Sequence, residues 1–240
     1  MNSEKTNINK NTIDGMFNVG AHFGYTRTRR HPSVKPYIFG SKNRVDIIDL
    51  EKTTRLLEEA KIFVKSIAAS GKQVLFVGTK PEARVVVARE ASRIGMPYVT
   101  ERWIGGILTN FSEIKKRMDR YQDLTRKKEE GALNIYTKKE RGIIDRELAE
   151  LDKNFGGLIP MKNIPGALFV VDSRNESIAV MEALKVGVLV VSLSNSDCDL
   201  RHVRYPIVGN DSAMPSIALF VEEIAKAYEE GTKSNSQIAE

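Results

Sequence analysis

Three stretches of the chain share one design: a short apolar run rich in β-branched residues ends in turn chemistry, and in two of them helical spacing follows. They are QVLFVGTKPEARVVVAREASRIG (73–95), GALFVVDSRNESIAVMEALKVG (166–187) and VLVVSLSNSD (188–197). Runs such as Val74–Val77, Leu168–Val171 and Val188–Val191 show no alternation of apolar and polar positions, so both faces of each strand must be covered. Strand, loop and helix repeated in this order build a parallel sheet with helices on both sides. RVDIID (44–49) offers a further strand ahead of a helix from about Glu51 to Ser70, and YPIV (205–208) another ahead of a final helix from about Ser212 to Glu230. The expected fold class is α/β, doubly wound around a mainly parallel sheet.

Residues 110–155 interrupt that pattern. They are strongly charged, yet Ile114, Met118, Tyr121 and Thr125 follow a 4-3-4 spacing, and Ile144, Leu148, Leu151 and Phe155 repeat it. Each set forms a narrow seam of coiled-coil type. Asn110 with Glu113 is expected to cap the first arm, Thr137 with Glu140 forms a T-x-x-E box for the second, and Gly131 lies in the connection. An arm of about 19 residues extends about 28 Å at 1.5 Å per residue. The expected organisation is a flexible tail over 1–13, a discontinuous α/β core over 14–109 and 156–230, a projecting antiparallel helical hairpin over 110–155 and a second tail over 231–240. The competing arrangement is a helical pair lying flat against its own sheet.

Charge is concentrated elsewhere. Residues 27–44, RTRRHPSVKPYIFGSKNR, hold Arg27, Arg29, Arg30, Lys35, Lys42 and Arg44 and no carboxylate, in a chain whose formal net charge is +6. Two prolines and a glycine break any helix here, which predicts an irregular basic loop with His31, Tyr37 and Phe39 interleaved. RNA-binding loops set guanidinium groups against phosphates and rings against bases. A merely solvated face normally mixes signs. A single cysteine, Cys198, excludes an intramolecular disulfide, and no apolar run approaches the ~18 residues that span a bilayer. The N-terminus has no apolar signal core. A cytoplasmic protein without membrane contact is expected.

Evidence for catalysis is thin. GTKPEA (78–83) follows a strand and opens a helix, a position that attracts phosphate, but it matches neither a nucleotide loop nor a dinucleotide fingerprint. It reads as an ordinary connection with Pro81 at the first helical position and Lys80 as an optional phosphate contact. Asp49 and Asp172 end strands and read as helix caps, with no pair of acids and suitably placed lysine apparent. Asp197, Cys198, Asp199 and His202 lack the spacing of a zinc motif. His22 and His31 have no nucleophile motif beside them. No catalytic residue, metal or cofactor is expected. Trp103, ahead of Gly105 and Gly106, is expected to anchor the hairpin root rather than to stack on a base. An α/β enzyme for a phosphorylated metabolite, near Gly78–Lys80 and Asp172, and a protein-only adaptor are the competing functions.

Longer phrases carry a resemblance. GAHFGYTRTRRHPSVKPYIFG (20–40), LFVGTKPEA (75–83), ERWIGGILTNF (101–111), NFGGL (154–158), PGALFVVDSRNESIAVMEA (165–183) and VGND (208–211) occur in the order seen in the universal small-subunit ribosomal protein family called S-two. The sequence resembles the bacterial form from about Asp14 to Tyr228. The resemblance implies a Rossmann-like or flavodoxin-like core with a coiled-coil insertion. It also implies binding to small-subunit ribosomal RNA and to neighbouring ribosomal proteins, and help in docking the large S-one protein, with no small-molecule substrate. The RNA contacts it suggests are Arg27, Arg29, Arg30, His31, Lys35, Lys42, Arg44 and Lys80, with Lys115, Lys116 and Arg117 on the hairpin. The chain departs from the family at Leu193-Ser194-Asn195-Ser196-Asp197-Cys198, where Asp-Thr-Asn-x-Asp-Pro is common, and at Val208-Gly209-Asn210-Asp211, where Pro-Gly-Asn-Asp is usual. The loop shapes and contacts at those two places are not carried over.

Overall fold

The computed structural model describes residues 12–236, so the tail expectation for 1–11 and 237–240 lies outside the described residues. Residues 12–18 form helix α1, which places Thr12 and Ile13 in a helix rather than a tail, with Ile13 against the core. A small sheet follows, made of β1 (Phe23–Thr26), β2 (Ile38–Lys42) and β3 (Val45–Ile48) in the order β1-β3-β2. Its pairings are antiparallel. The basic segment is therefore less irregular than its prolines suggested. It contains two short 3-10 turns and a strand, and RVDIID belongs to this sheet instead of the parallel one.

The main sheet joins β4 (Val74–Val77), β5 (Tyr98–Val99), β6 (Ala167–Val171), β7 (Leu189–Ser194) and β8 (Tyr205–Val208), all parallel, in the order β5-β4-β6-β7-β8. Counting only these strands, the order is 2-1-3-4-5, the flavodoxin-like arrangement, whose winding reverses between β4 and β6. Residues of β4, β6 and most of β7 are buried on both faces, as the unbroken apolar runs required. Val74, Phe76, Phe169 and Val171 pack beneath α2 (Leu50–Ala69), α3 (Pro81–Arg93) and α7 (Met214–Ser236). Leu75, Val77, Leu168 and Val170 face a second cluster, fed by α4 (Phe111–Glu129), α5 (Lys138–Phe155) and α6 (Ser177–Val186).

Helix α7 continues past the expected end at Glu230. A Cβ on Gly231 would lie 2.5 Å from the Lys65 carbonyl oxygen, so glycine lets α7 run close against α2. Asp49 caps α2 as expected, accepting from the Glu51 and Lys52 amides. The Thr137–Glu140 capping box is present in both directions. Asn110 stands at the N-cap position of α4 but its side chain caps nothing. The apolar line of α4 also differs from the expected seam: Ile114 and Met118 are buried, but farther along it is Leu124 that is buried while Thr125 is half-exposed and donates to the Tyr121 carbonyl.

Candidate nucleic-acid interface and the filled crevice

The basic segment is held at both ends. Arg27 N–H donates to the Arg44 carbonyl, and His31 N–H to the carbonyl of Ser196, beyond the end of β7. Between β2 and β3 the chain reverses in two residues, Asn43 (φ 51) and Arg44 (φ 66). Left-handed values at both positions suit a hairpin turn, but arginine is a strained occupant there. On this frame Arg27, Arg29, Lys35, Lys42 and Arg44 are exposed. Among the described residues none of the five has a carboxylate within salt-bridge distance. Arg29 lies over the Tyr25 ring, 5.9 Å from its centre.

The other residues expected here face inward. Arg30 Nε lies 3.6 Å from the fully buried carboxylate of Asp46. His31 Nδ1 meets the Ser33 hydroxyl at 2.8 Å, and its Nε2 is 3.9 Å from Asp199. Lys80 is farther from the expectation: its ammonium sits 2.5 Å from Asp172 Oδ2 and 3.0 Å from Asp211 Oδ2, so it is an internal cation and not part of the exposed set. The acid pair with its lysine, which the sequence did not reveal, therefore exists. Asp211 lies 131 positions from Lys80, and no local pattern links them.

This cluster occupies the crevice beyond the carboxyl ends of β4 and β6, where winding reverses and where open α/β sheets take their ligands. Asp172 (φ 69) is strained; its Oδ1 accepts from the amides of Arg174 and Asn175, so it acts as a turn-former as well as an ion-pair partner. Asn195 Nδ2 donates to Asp211 Oδ1, and the Thr79 amide and hydroxyl donate to Glu176. Burial pushes the Asp211 carboxyl up to about 6, with Asp172 adding to the effect and Lys80 opposing it. Burial also disfavours charge on Asp172, but the Lys80 ammonium outweighs it and holds that carboxyl low. Burial alone would lower Lys80; its two carboxylates raise it instead. Burial, then the neighbouring acids, push the Cys198 thiol up to about 12. Asp172, Cys198 and Asp211 stand close enough to share an ion, yet Lys80 already bridges the two carboxylates. The metal set weighed from sequence is dispersed: Asp197 pairs with Arg174 and Asp199 with Arg201.

A second buried carboxylate fixes the loop ahead of α4. Glu182 of α6 accepts from Trp103 Nε1 (3.1 Å), the amides of Gly106 (2.7 Å), Leu108 (3.1 Å) and Thr109 (3.3 Å), and the Thr109 hydroxyl. Burial opposes its ionisation, but these donors hold the carboxyl below its usual value. Trp103 is buried, as an anchor should be, and Gly106 (φ 99) makes the turn that aims the amides inward. From there α4 and α5 run side by side, linked by Arg120 to Glu147, Lys128 to Asp145 and Tyr121 to Asp152. Lys115, Lys116 and Arg117 are exposed on α4, with Lys116 tied to Glu113.

The model of the family described as "Ribosomal protein S2" matches residues 16–231, most of the chain. The chain belongs to the ribosomal protein S2 family. It is similar to the small ribosomal subunit protein uS2 of Syntrophobacter fumaroxidans, 45% identical over 218 residues that cover 91% of this chain and 80% of the relative. The uS2 of Geotalea uraniireducens is 44% identical over 225 residues, covering 94% and 88%. That of Treponema pallidum is 43% identical over 230 residues, covering 95% and 79%. The S2 family is a structural component of the ribosome and not a class of enzymes, and the crevice accords with that standing. A phosphorylated metabolite bound there would have to separate Lys80 from both acids. The competing enzymatic reading thus loses its site.

Sequence reasoning missed Asp211 and Glu182. Asp211 lay within the VGND phrase, and Glu182 is the one acid in the Ser177–Val186 helix, flanked by apolar residues, a position where a buried carboxylate needs an explanation.

Proposed function

We propose that the chain is a non-catalytic constituent of the small ribosomal subunit that binds small-subunit ribosomal RNA through residues 27–44. One observation carries the reading: Arg27, Arg29, Lys35, Lys42 and Arg44 are exposed together without carboxylate partners among the described residues. Unpaired cations on a held frame attract phosphates and release their counterions. Lys115 and Arg117 on α4 extend the same chemistry; Arg30, His31 and Lys80 support the frame and crevice. Ribosomal location in the cytoplasm follows from this role. Neighbouring small-subunit proteins, the large S-one protein among them, are the expected protein partners.

Residues 110–155 are read as an antiparallel coiled-coil hairpin inserted between two parts of one core, 14–109 and 156–230. Buried Ile114, Met118, Leu151 and Phe155 and the cross-helix pairs support it. The deciding measurement is affinity for small-subunit ribosomal RNA across a salt series. Replacing Arg27, Arg29, Lys42 and Arg44 with Gln is expected to reduce the slope of log affinity against log salt by about 3 to 4. An unchanged slope would remove the role assigned to this segment.

A further inference from the structure

We infer that Arg27 and Arg44 together form one site for a single phosphate group of RNA, and that the strained turn carrying Arg44 shapes this site and destabilises the fold in doing so. A two-residue hairpin turn with left-handed values at both positions favours Asn followed by Gly. Asn43 (φ 51) fits the first position, but Arg44 (φ 66) stands where glycine is preferred. Among the described residues every other left-handed position is glycine, apart from Asn43 and Asp172. Asparagine visits that region readily. Asp172 has an internal reason to be there, because its carboxylate accepts from two amides and pairs with Lys80. Arg44 has no such reason: its side chain is exposed, with neither a hydrogen bond nor a carboxylate partner among the described residues.

The backbone sets a second cation beside it. β1 and β3 pair at Thr26 and Val45, and one step further the Arg27 amide donates to the Arg44 carbonyl at 2.9 Å. Residues that face each other across a ladder have Cβ atoms roughly 5 Å apart, and like charges there repel. Arg27 is exposed and, like Arg44, has no carboxylate partner among the described residues. Backbone strain and charge repulsion thus meet at one point, and both disfavour the fold by itself. An anion between the two guanidinium groups offsets the repulsion, and each guanidinium can set paired N–H donors against phosphate oxygens. A glycine in the turn would relieve the strain but carry no donor. Lys35, on the 3-10 turn Pro32–Tyr37, has neither the strain nor the facing cation. The inference rests on the RNA reading of residues 27–44 and goes beyond it in giving two of the five cations to one phosphate.

The test is a double-mutant cycle on the full chain, with affinity for small-subunit ribosomal RNA measured across a salt series. Arg27→Gln and Arg44→Gln should each weaken binding about tenfold, and the two together no more than about twofold further. The pair should lower the slope of log affinity against log salt by about 1, as one lost phosphate contact requires. Arg27→Gln combined with Lys35→Gln should instead be additive. Arg44→Gly should bind as weakly as Arg44→Gln yet raise the melting temperature by about 2–4 °C, whereas Arg44→Gln keeps the strain and should move it less. An additive Arg27–Arg44 cycle with a slope change of about 2, which means two separate phosphates, would overturn the inference, as would an Arg44→Gly chain that melts no higher than the parent. The variant with Gln at Arg27, Arg29, Lys42 and Arg44 separates the two levels. Binding equal to the parent removes the RNA reading and this inference with it, while weakened binding with an additive cycle removes the shared site alone.

Discussion

The cations of α2 and α3 and those of residues 27–44 differ in what surrounds them. On the helical face, Lys61 contacts Glu58 and Glu223, Arg89 contacts Glu90 and Glu222, and Arg93 contacts Glu90 and Glu229, which ties α2 and α3 to α7. On the basic segment five exposed cations have no such partner among the described residues. The fold thus spends few of its acids where a polyanion would have to compete with them. Lys80 marks the far end of the paired class, half-buried between two buried carboxylates. Cations with internal partners hold this molecule together, and cations without them are available to something else.

Removing Lys80 tests that division most severely. Lys80→Met leaves Asp172 and Asp211 close together and uncompensated, and should cost about 3–5 kcal/mol, measured by urea denaturation. A loss below about 1 kcal/mol would show that the crevice does not depend on its cation. Glu182→Ala comes next: the donors of Trp103, Gly106, Leu108 and Thr109 lose their acceptor, with an expected cost of about 3 kcal/mol and loosened amide exchange over 103–110.

Acidity probes the same cluster more gently. The folded-state value of Asp211, about 6, lies above the ordinary carboxyl value, so the folded chain holds this proton more tightly than the unfolded one. Its contribution to stability is greatest below the ordinary value of 3.8 and is lost as pH rises through about 6. Asp211→Asn should flatten the slope of stability against pH between about 4 and 7; a slope equal to that of the parent chain would contradict the assignment. The smallest stability change is expected on the basic segment. Gln at Arg27, Arg29, Lys42 and Arg44 should leave folding stability within about 0.5 kcal/mol per site while RNA binding weakens. A large loss of stability there would erase the contrast between the two regions.

Local chemistry was sufficient to reveal much of this protein. Apolar runs buried on both faces, helix-starting residues such as Asp49, Pro81 and Thr137, and the carboxylate-free segment 27–44 act over a few neighbouring residues, so they can be read along the chain. Only the tertiary structure decided which cations remain unpaired. Lys80 meets Asp211 across 131 positions, Trp103 meets Glu182 across 79, and Arg30 turns toward Asp46 because β3 folds back beside the segment that carries it. Ion pairing depends on distances of a few ångströms that chain packing sets, and residue type alone does not contain those distances.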